Sequence, residues 1–240
     1  MQQYMIDTEI VLGKKINFNN EQNHHIKDVM RMKEKSLVRV VNPFDKSSGF
    51  VAVFYEENNA YGEVIEIDEV THELNVKICL CIGILKKDKW EYLLQKATEL
   101  GVSKIVPFES ERTVVKKNSD KQQKKNNRWN KIMLEASEQS KREIVPELCE
   151  IQKFKNILKF KSQINLLAYE DVSHSASSIS STISNELSVT IVIGPEGGFS
   201  EKEINYLTDN NFKCVSLGKR ILRAETAACH SLSVIGELIG

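Results

Sequence analysis

The chain has no net charge: 33 lysines and arginines balance 33 aspartates and glutamates over 240 residues. Charge alone therefore nominates no polyanionic or membrane partner. Cysteine is scarce and scattered, five residues with no CxxC pair and no Cys/His cluster at zinc spacing. This argues against a disulfide framework and a structural metal, and points to a reducing compartment. No apolar run approaches the ~20 residues of a membrane span. The opening MQQYMIDTEIVLGKK has no basic lead-in and no apolar core of a signal peptide, so a cytoplasmic protein without membrane association is expected. Neither GxGxxG nor GxxxxGKS occurs, which leaves dinucleotide and P-loop chemistry without their usual signals. What remains is an ordinary globular composition, 41% hydrophobic and 28% charged.

Two patterns divide the chain. Residues 1 to 72 read as short strands, at Glu9 to Leu12, Leu37 to Val41, Phe50 to Tyr55 and Tyr61 to Ile67, punctuated by Gly, Asn and Pro. One helix over Glu21 to Met32 carries Ile26, Val29, Met30 and Met32 at roughly helical spacing. A small barrel or sandwich suits this spacing. From 73 to 240 strands alternate with helices, as in an α/β domain on a mainly parallel sheet. Strands are expected at Val76 to Leu85, where Cys79 and Cys81 share a core face, and at Lys104 to Phe108, Ile164 to Ala168, Val189 to Ile193 and Phe212 to Leu217. Trp90, Leu93, Leu94 and Ala97 recur at helical spacing, as do Trp129, Ile132, Met133 and Ala136. Ser200 and Glu203 form a capping box, and Ala224 to Leu238 is the closing helix. Eight serines in 173 to 188 suggest a surface connection.

The neutral total conceals segregation. Residues 112 to 131 hold eight lysines and arginines against one aspartate, whereas 56 to 73 hold seven acidic residues and no Lys or Arg. A basic tract of this kind suits a polyanion, although an isolated charge run is more often a solvated face.

Chemistry is concentrated in two strand-to-helix loops. In IVIGPEGGFS an apolar strand runs into Gly194, Pro195, Glu196, Gly197 and Gly198. Glycines at a strand's carboxyl end let a ligand approach the backbone, and in α/β sheets ligands bind at that end. By itself such a turn serves equally as a tight connection. The second loop, in LGKRILRAETAACH, again joins a strand end to a helix, with Arg220 and Arg223 flanking Ile221 and Leu222, and with Ala224, Ala227 and Ala228 small enough for close helix packing.

Four segments in order, KWEYLLQKATELGVSKIVPFESERTVVK, RWNKIMLEASEQSKREIVPEL, IGPEGGFSEKEI and LGKRILRAETA, closely resemble the 16S ribosomal RNA uridine N3-methyltransferase family of RsmE type, within the SPOUT superfamily of knotted methyltransferases. The segment NHHIKDVMRMK and the strands after it are similar to that family's PUA-like RNA-binding domain. The resemblance implies an α/β fold in which a trefoil-knotted methyltransferase domain, 73–240, follows a small PUA-like β-barrel, 1–72. It further implies S-adenosylmethionine as cofactor, N3 of a uridine in small-subunit rRNA as target, a homodimer, and no metal. Carried over by position, the cofactor loops are Gly194 to Gly198, with Ile193, Gly194, Gly197 and Gly198 as contacts, and Leu217 to Arg223, with Leu217, Gly218, Ile221 and Leu222. A third wall comes from Leu167 and Ala168.

Removing the weakly acidic imide proton of uridine leaves charge on its carbonyl oxygens, which a guanidinium can stabilise; Arg112 and Arg223 are the catalytic candidates, with Glu196 and Glu225 as alternative bases. The RNA ligands are expected among Arg31, Lys116, Lys117, Lys124, Lys125, Arg128, Lys141 and Arg142. Departures from the family pattern are Lys219 for a proline, Ala224 for a threonine, Lys141 for a frequent glycine, and Gln2, Gln3, Tyr4 where an arginine is common. Two other readings are an RNA-binding ribosome-assembly factor that keeps the fold without catalysis, and a nucleotide-dependent metabolic enzyme. The basic tract and the missing GxGxxG oppose the second.

Overall fold

A computed structural model describes residues 1–57, 59–113, 122–169 and 177–240, and the side chains of all of these except 87 and 122–125. The chain divides into two units, Met1–Glu73 with Ser137–Val145, and Leu74–Ala136 with Pro146–Gly240. The division expected at 72/73 falls one residue later, after Glu73, and Ser137–Val145 groups with the first unit.

The first unit is a five-stranded mixed sheet of β1 (Gln3–Met5), β2 (Lys15–Asn17), β3 (Leu37–Val41), β4 (Ser48–Glu56) and β5 (Asn59–Ile67), ordered β1-β3-β4-β5-β2. Only the β1–β3 pair is parallel. Period-two alternation turns Val38, Val40, Val51, Val53, Ala60 and Val64 onto one face, where they pack with Tyr4, Ile16, Phe18 and Ile26. The strand expected at Glu9 to Leu12 is instead a loop that leaves Val11 and Leu12 exposed. Gly13 at φ 77 turns the chain there, and its N–H bonds to Val64 O at 2.8 Å. The expected helix is also shorter. α1 (Asn20–His24), capped by Asn19 and Gln22, passes into a π turn at His25–Val29. The wider turn shifts the phase of the periodicity, so Ile26 is buried while Val29 and Met30 face solvent.

A buried guanidinium explains the grouping of Ser137–Val145. Arg39, on β3 and 3% exposed, bonds Asp68 at 2.7 Å, Gln3 at 2.7 Å, Ser48 at 2.9 Å and Glu143 at 2.8 Å, and also reaches Lys141 O at 3.1 Å. Glu143 in turn accepts from Thr71 and from the His72 N–H, each at 3.0 Å. Gln3 is fully buried and donates to Arg142 O at 2.8 Å. Gln3 is therefore an internal strut of the first unit.

The second unit is an all-parallel sheet. Its elements are β6 (Lys77–Gly83), α2 (Lys87–Glu99), β7 (Lys104–Glu109), α3 (Gln122–Gln139, whose last residues belong to the first unit), β8 (Glu147–Leu148), β9 (Gln152–Lys153), β10 (Ile164–Ala168), β11 (Ser177–Ser178), α4 (Ile179–Thr182), β12 (Ser188–Ile193), α5 (Glu201–Asp209), β13 (Lys213–Ser216) and α6 (Ala224–Ile239). The strand order is β11-β13-β10-β12-β6-β7-β8, with β9 also on β7. Central strands are buried on both sides, so they read as continuous apolar runs. Cys79 and Cys81 pack on one side with Val106, Phe108, Leu167 and Val192. The serine-rich stretch is more than a connection. Its described part forms edge strand β11 and helix α4, capped by Ser178, with Ile179 and Ile183 buried. Among the described residues no helix is long and apolar enough to cross a membrane, and no group of three or more His, Cys, Asp or Glu is placed to hold a metal.

Candidate active site

Neighbouring strands β13, β10, β12 and β6 end side by side, because Ala168 pairs with Val215, Leu167 with Val192, and Ile193 with Ile82. The loops leaving these carboxyl ends enclose a cavity of about 370 Å3, within the usual range for a small-molecule site. Its walls come from Ala168 and Tyr169 at the end of β10, from Ile193 and the loop that follows to Phe199, Gly197 excepted, and from the loop between Leu217 and the start of α6, Lys219 excepted.

Glycine is required where these loops crowd. A Cβ on Gly83, at the end of β6, would lie 2.5 Å from the Pro195 nitrogen. One on Gly194 would lie 3.1 Å from the Phe199 ring, which lines the cavity. Gly198 sits at φ 68 and closes the turn by donating to Pro195 O at 2.9 Å. Ser200 then starts α5 with the expected capping box.

The charged lining is one amine, Lys89, one carboxylate, Glu196, and two arginines, with Glu225 close behind it. Lys89, in the first turn of α2, lies 2.9 Å from Glu196 and 3.9 Å from Glu225. The second oxygen of Glu225 is buried without a hydrogen-bond partner among the described residues. Arg220 and Arg223 line the cavity too, together with apolar Ile193, Leu217 and Leu222. Ile221 is 83% exposed at the cavity wall, an unusual position for so large an apolar side chain unless something covers it.

Of the residues expected to hold a cofactor, Ala168, Ile193, Gly194, Gly198, Leu217, Gly218, Ile221 and Leu222 line this cavity. Leu167 does not. Alternation along β10 turns it into the core with Cys81 and Phe199. Gly197 faces the other way, since a Cβ there would meet Arg112 Cβ and O at 3.0 Å. Arg223 lines the cavity at the start of α6. Arg112 stands behind the glycine loop and donates to Gly197 O at 3.3 Å.

The expected RNA ligands divide as well. Arg31 is exposed at φ 50, and Arg128 is exposed but paired with Glu91 at 2.6 Å. Arg142 is 2% exposed and bonds Glu73 at 2.7 Å, so it is a structural ion pair and not a phosphate ligand. Lys141 bends inward at φ 66 to bond the Met1 carbonyl, and burial beside Arg39 lowers its amine pKa. Its half-buried side chain is thus engaged by a backbone carbonyl at the surface. Lys116 and Lys117, and the side chains of Lys124 and Lys125, lie outside the described residues. Lys89 and Tyr169 were missed from the sequence. Lys89 meets Glu196 across 107 residues, a separation over which local pattern carries no signal.

Residues 72–236 match the family model for the RNA methyltransferase domain. The chain is 35% identical to ribosomal RNA small subunit methyltransferase E of Bacillus subtilis, over 98% of this chain and 96% of that protein. A crystal structure of a ribosomal RNA small subunit methyltransferase E from Neisseria gonorrhoeae, bound to S-adenosyl methionine, superposes with a TM-score of 0.89 at 26% identity, covering 99% of this chain and 98% of that one. A protein from Legionella pneumophila, solved with bound cofactor SAM, gives 0.86 at 29% identity, covering 97% and 96%. With a glycine-walled cavity at the strand ends and relatives that match over nearly its whole length, the chain belongs to the RNA methyltransferase family of ribosomal RNA small subunit methyltransferase E.

Proposed function

We propose that this chain is an S-adenosylmethionine-dependent enzyme that methylates N3 of a uridine in 16S rRNA of the small ribosomal subunit, acting in the cytoplasm as a homodimer. The observation that carries this reading is the cavity itself. Its loops expose backbone at Gly194, Gly198 and Gly218, and at Gly218 (φ 104) a Cβ would meet only open space. The donor set suits the cofactor. Apolar Ile193, Leu217 and Leu222 would take the adenine, and Lys89 with Glu196 offers opposite charges to the amino-acid end. Bound S-adenosylmethionine supplies an electrophilic methyl on its sulfonium.

The chain's own residues have two tasks, holding the uridine nitrogen in line and managing the imide proton. Arg223, on the cavity wall, and Arg112, behind the glycine loop, would stabilise negative charge on the uridine carbonyl oxygens as N3–H ionises. Glu196 and Glu225 are the carboxylates available to receive the proton. The target base must be unpaired or flipped out, because N3 lies inside a Watson-Crick pair.

The finer architecture is part of this proposal. β13 lies between β10 and β11, although both precede it in the chain. This interleaved strand order supports our reading of the second unit as a trefoil-knotted methyltransferase domain. We read the five-stranded first unit as the PUA-like domain, with Arg31 toward RNA.

Incubating the protein with small ribosomal subunits and labelled cofactor, followed by mass spectrometry of the 16S rRNA, should find one methylated uridine at N3. Cofactor binding without any methylation would favour the non-catalytic assembly factor. Gly198→Val should weaken cofactor binding by roughly ten- to thirtyfold, because a branched side chain at positive φ costs about 1–2 kcal/mol and displaces the loop. Calorimetry that finds unchanged affinity would remove this loop from the site.

A further inference from the structure

We infer that Glu203 is a positioning residue for methyl transfer, holding the turn that bears Arg112 against the glycine loop. This rests on the role given to Arg112 above. Glu203 is 4% exposed and lies in the first turn of α5. One carboxylate oxygen accepts from the Ser200 N–H at 2.9 Å, which completes the capping box. The other accepts from the Glu111 N–H at 3.0 Å, on the segment that follows β7. A helix cap needs only the first of these bonds. The second joins two loops from different strand ends and immediately precedes Arg112.

The turn so anchored is well formed. Ser110 N donates to Thr113 Oγ1 at 2.8 Å, Thr113 N to Ser110 O at 3.1 Å, and Arg112 N to Ser110 Oγ at 3.3 Å. On its far side Arg112 touches Gly197, with Nη1 3.3 Å from Gly197 O and its Cβ where a side chain at 197 would stand. Arg112 is thereby fixed by the same carboxylate that starts the helix after the cofactor loop. Ligand-induced movement of Gly194 to Ser200 would be passed to Arg112 through Glu203.

Glu203→Gln tests this. Glutamine still serves the cap, but one oxygen becomes an NH2 donor, so it cannot accept from both N–H groups. At saturating RNA kcat should fall between roughly tenfold and a hundredfold, the scale of a 1 Å misplacement, with calorimetric cofactor affinity unchanged. Ser200→Ala removes the other half of the cap and should lower the unfolding midpoint, but it should keep wild-type kcat. The decisive comparison is additivity. In an Arg112→Ala background Glu203→Gln should have no further effect on kcat. Wild-type kcat in Glu203→Gln, or its full effect persisting without Arg112, would overturn the inference. Should Glu203→Gln fail to fold, Glu203→Asp, one methylene short of Glu111, carries the same expectations. Absence of methylation by the wild-type protein would instead overturn the functional reading.

Discussion

Arg112→Ala is expected to lower kcat on the order of a hundredfold at saturating RNA, the usual cost of losing one preorganised charge donor. A phosphate contact and a transition-state contact separate kinetically. The former weakens RNA binding, whereas the latter lowers kcat with ground-state affinity nearly intact. Arg112 donates to Gly197 O on the side of the loop away from the cavity, so the kinetic split is what decides between the two roles. Arg112→Lys should rescue only in part, since a point charge replaces a planar fork. Raising the pH should restore some activity to both variants by ionising the imide directly. Single-turnover methylation across a pH series reads all three effects. Full activity of Arg112→Ala at saturating RNA would leave Arg223, which lines the cavity, as the stabilising cation.

Glu143→Ala should destabilise the first unit by about 1–3 kcal/mol, because Arg39, Thr71 and the His72 N–H lose their acceptor while Asp68 still compensates the Arg39 charge. The same network gives a pH dependence. Burial pushes the Glu143 carboxyl up, but hydrogen bonds from Arg39, the His72 N–H and Thr71 outweigh it and hold the group below its ordinary value. Asp68 is also held low, with burial opposed by Arg39 and the Val70 N–H. A carboxylate depressed in the folded state stabilises fully above its unfolded pKa, about 3.9–4.3, and that stability is lost as pH falls through the folded value. Thermal unfolding between neutral pH and about pH 3 should show the wild type losing stability over this window. The Glu143→Ala protein should start lower and lose less. Equal unfolding midpoints at neutral pH would mean that Arg39 finds other compensation.

Much of this architecture is written locally in the chain. The strands Leu37–Val41 and Ile164–Ala168 have the bounds that their apolar runs indicate, and the Ser200/Glu203 capping box forms as its spacing requires. Glycines 194 and 198 announce a loop open to a ligand, because the residue type itself states what the backbone needs. The ordered segments around them carry the family. Tertiary structure decided everything that depends on facing and on distant partners. Leu167 and Ala168 are adjacent and equally apolar, yet β10's pleat sends one to the core and the other to the cavity. Arg142 and Lys141 look like a basic continuation of the RNA-binding tract, but Glu73, Met1 O and the Arg39 network draw them inward. Lys89 finds Glu196 across 107 residues, and Glu203 finds Glu111 across 92. Periodicity reports only which neighbours along the chain share a face. Which strand ends lie side by side is set by the sheet order, and only there do two separated loops become one site.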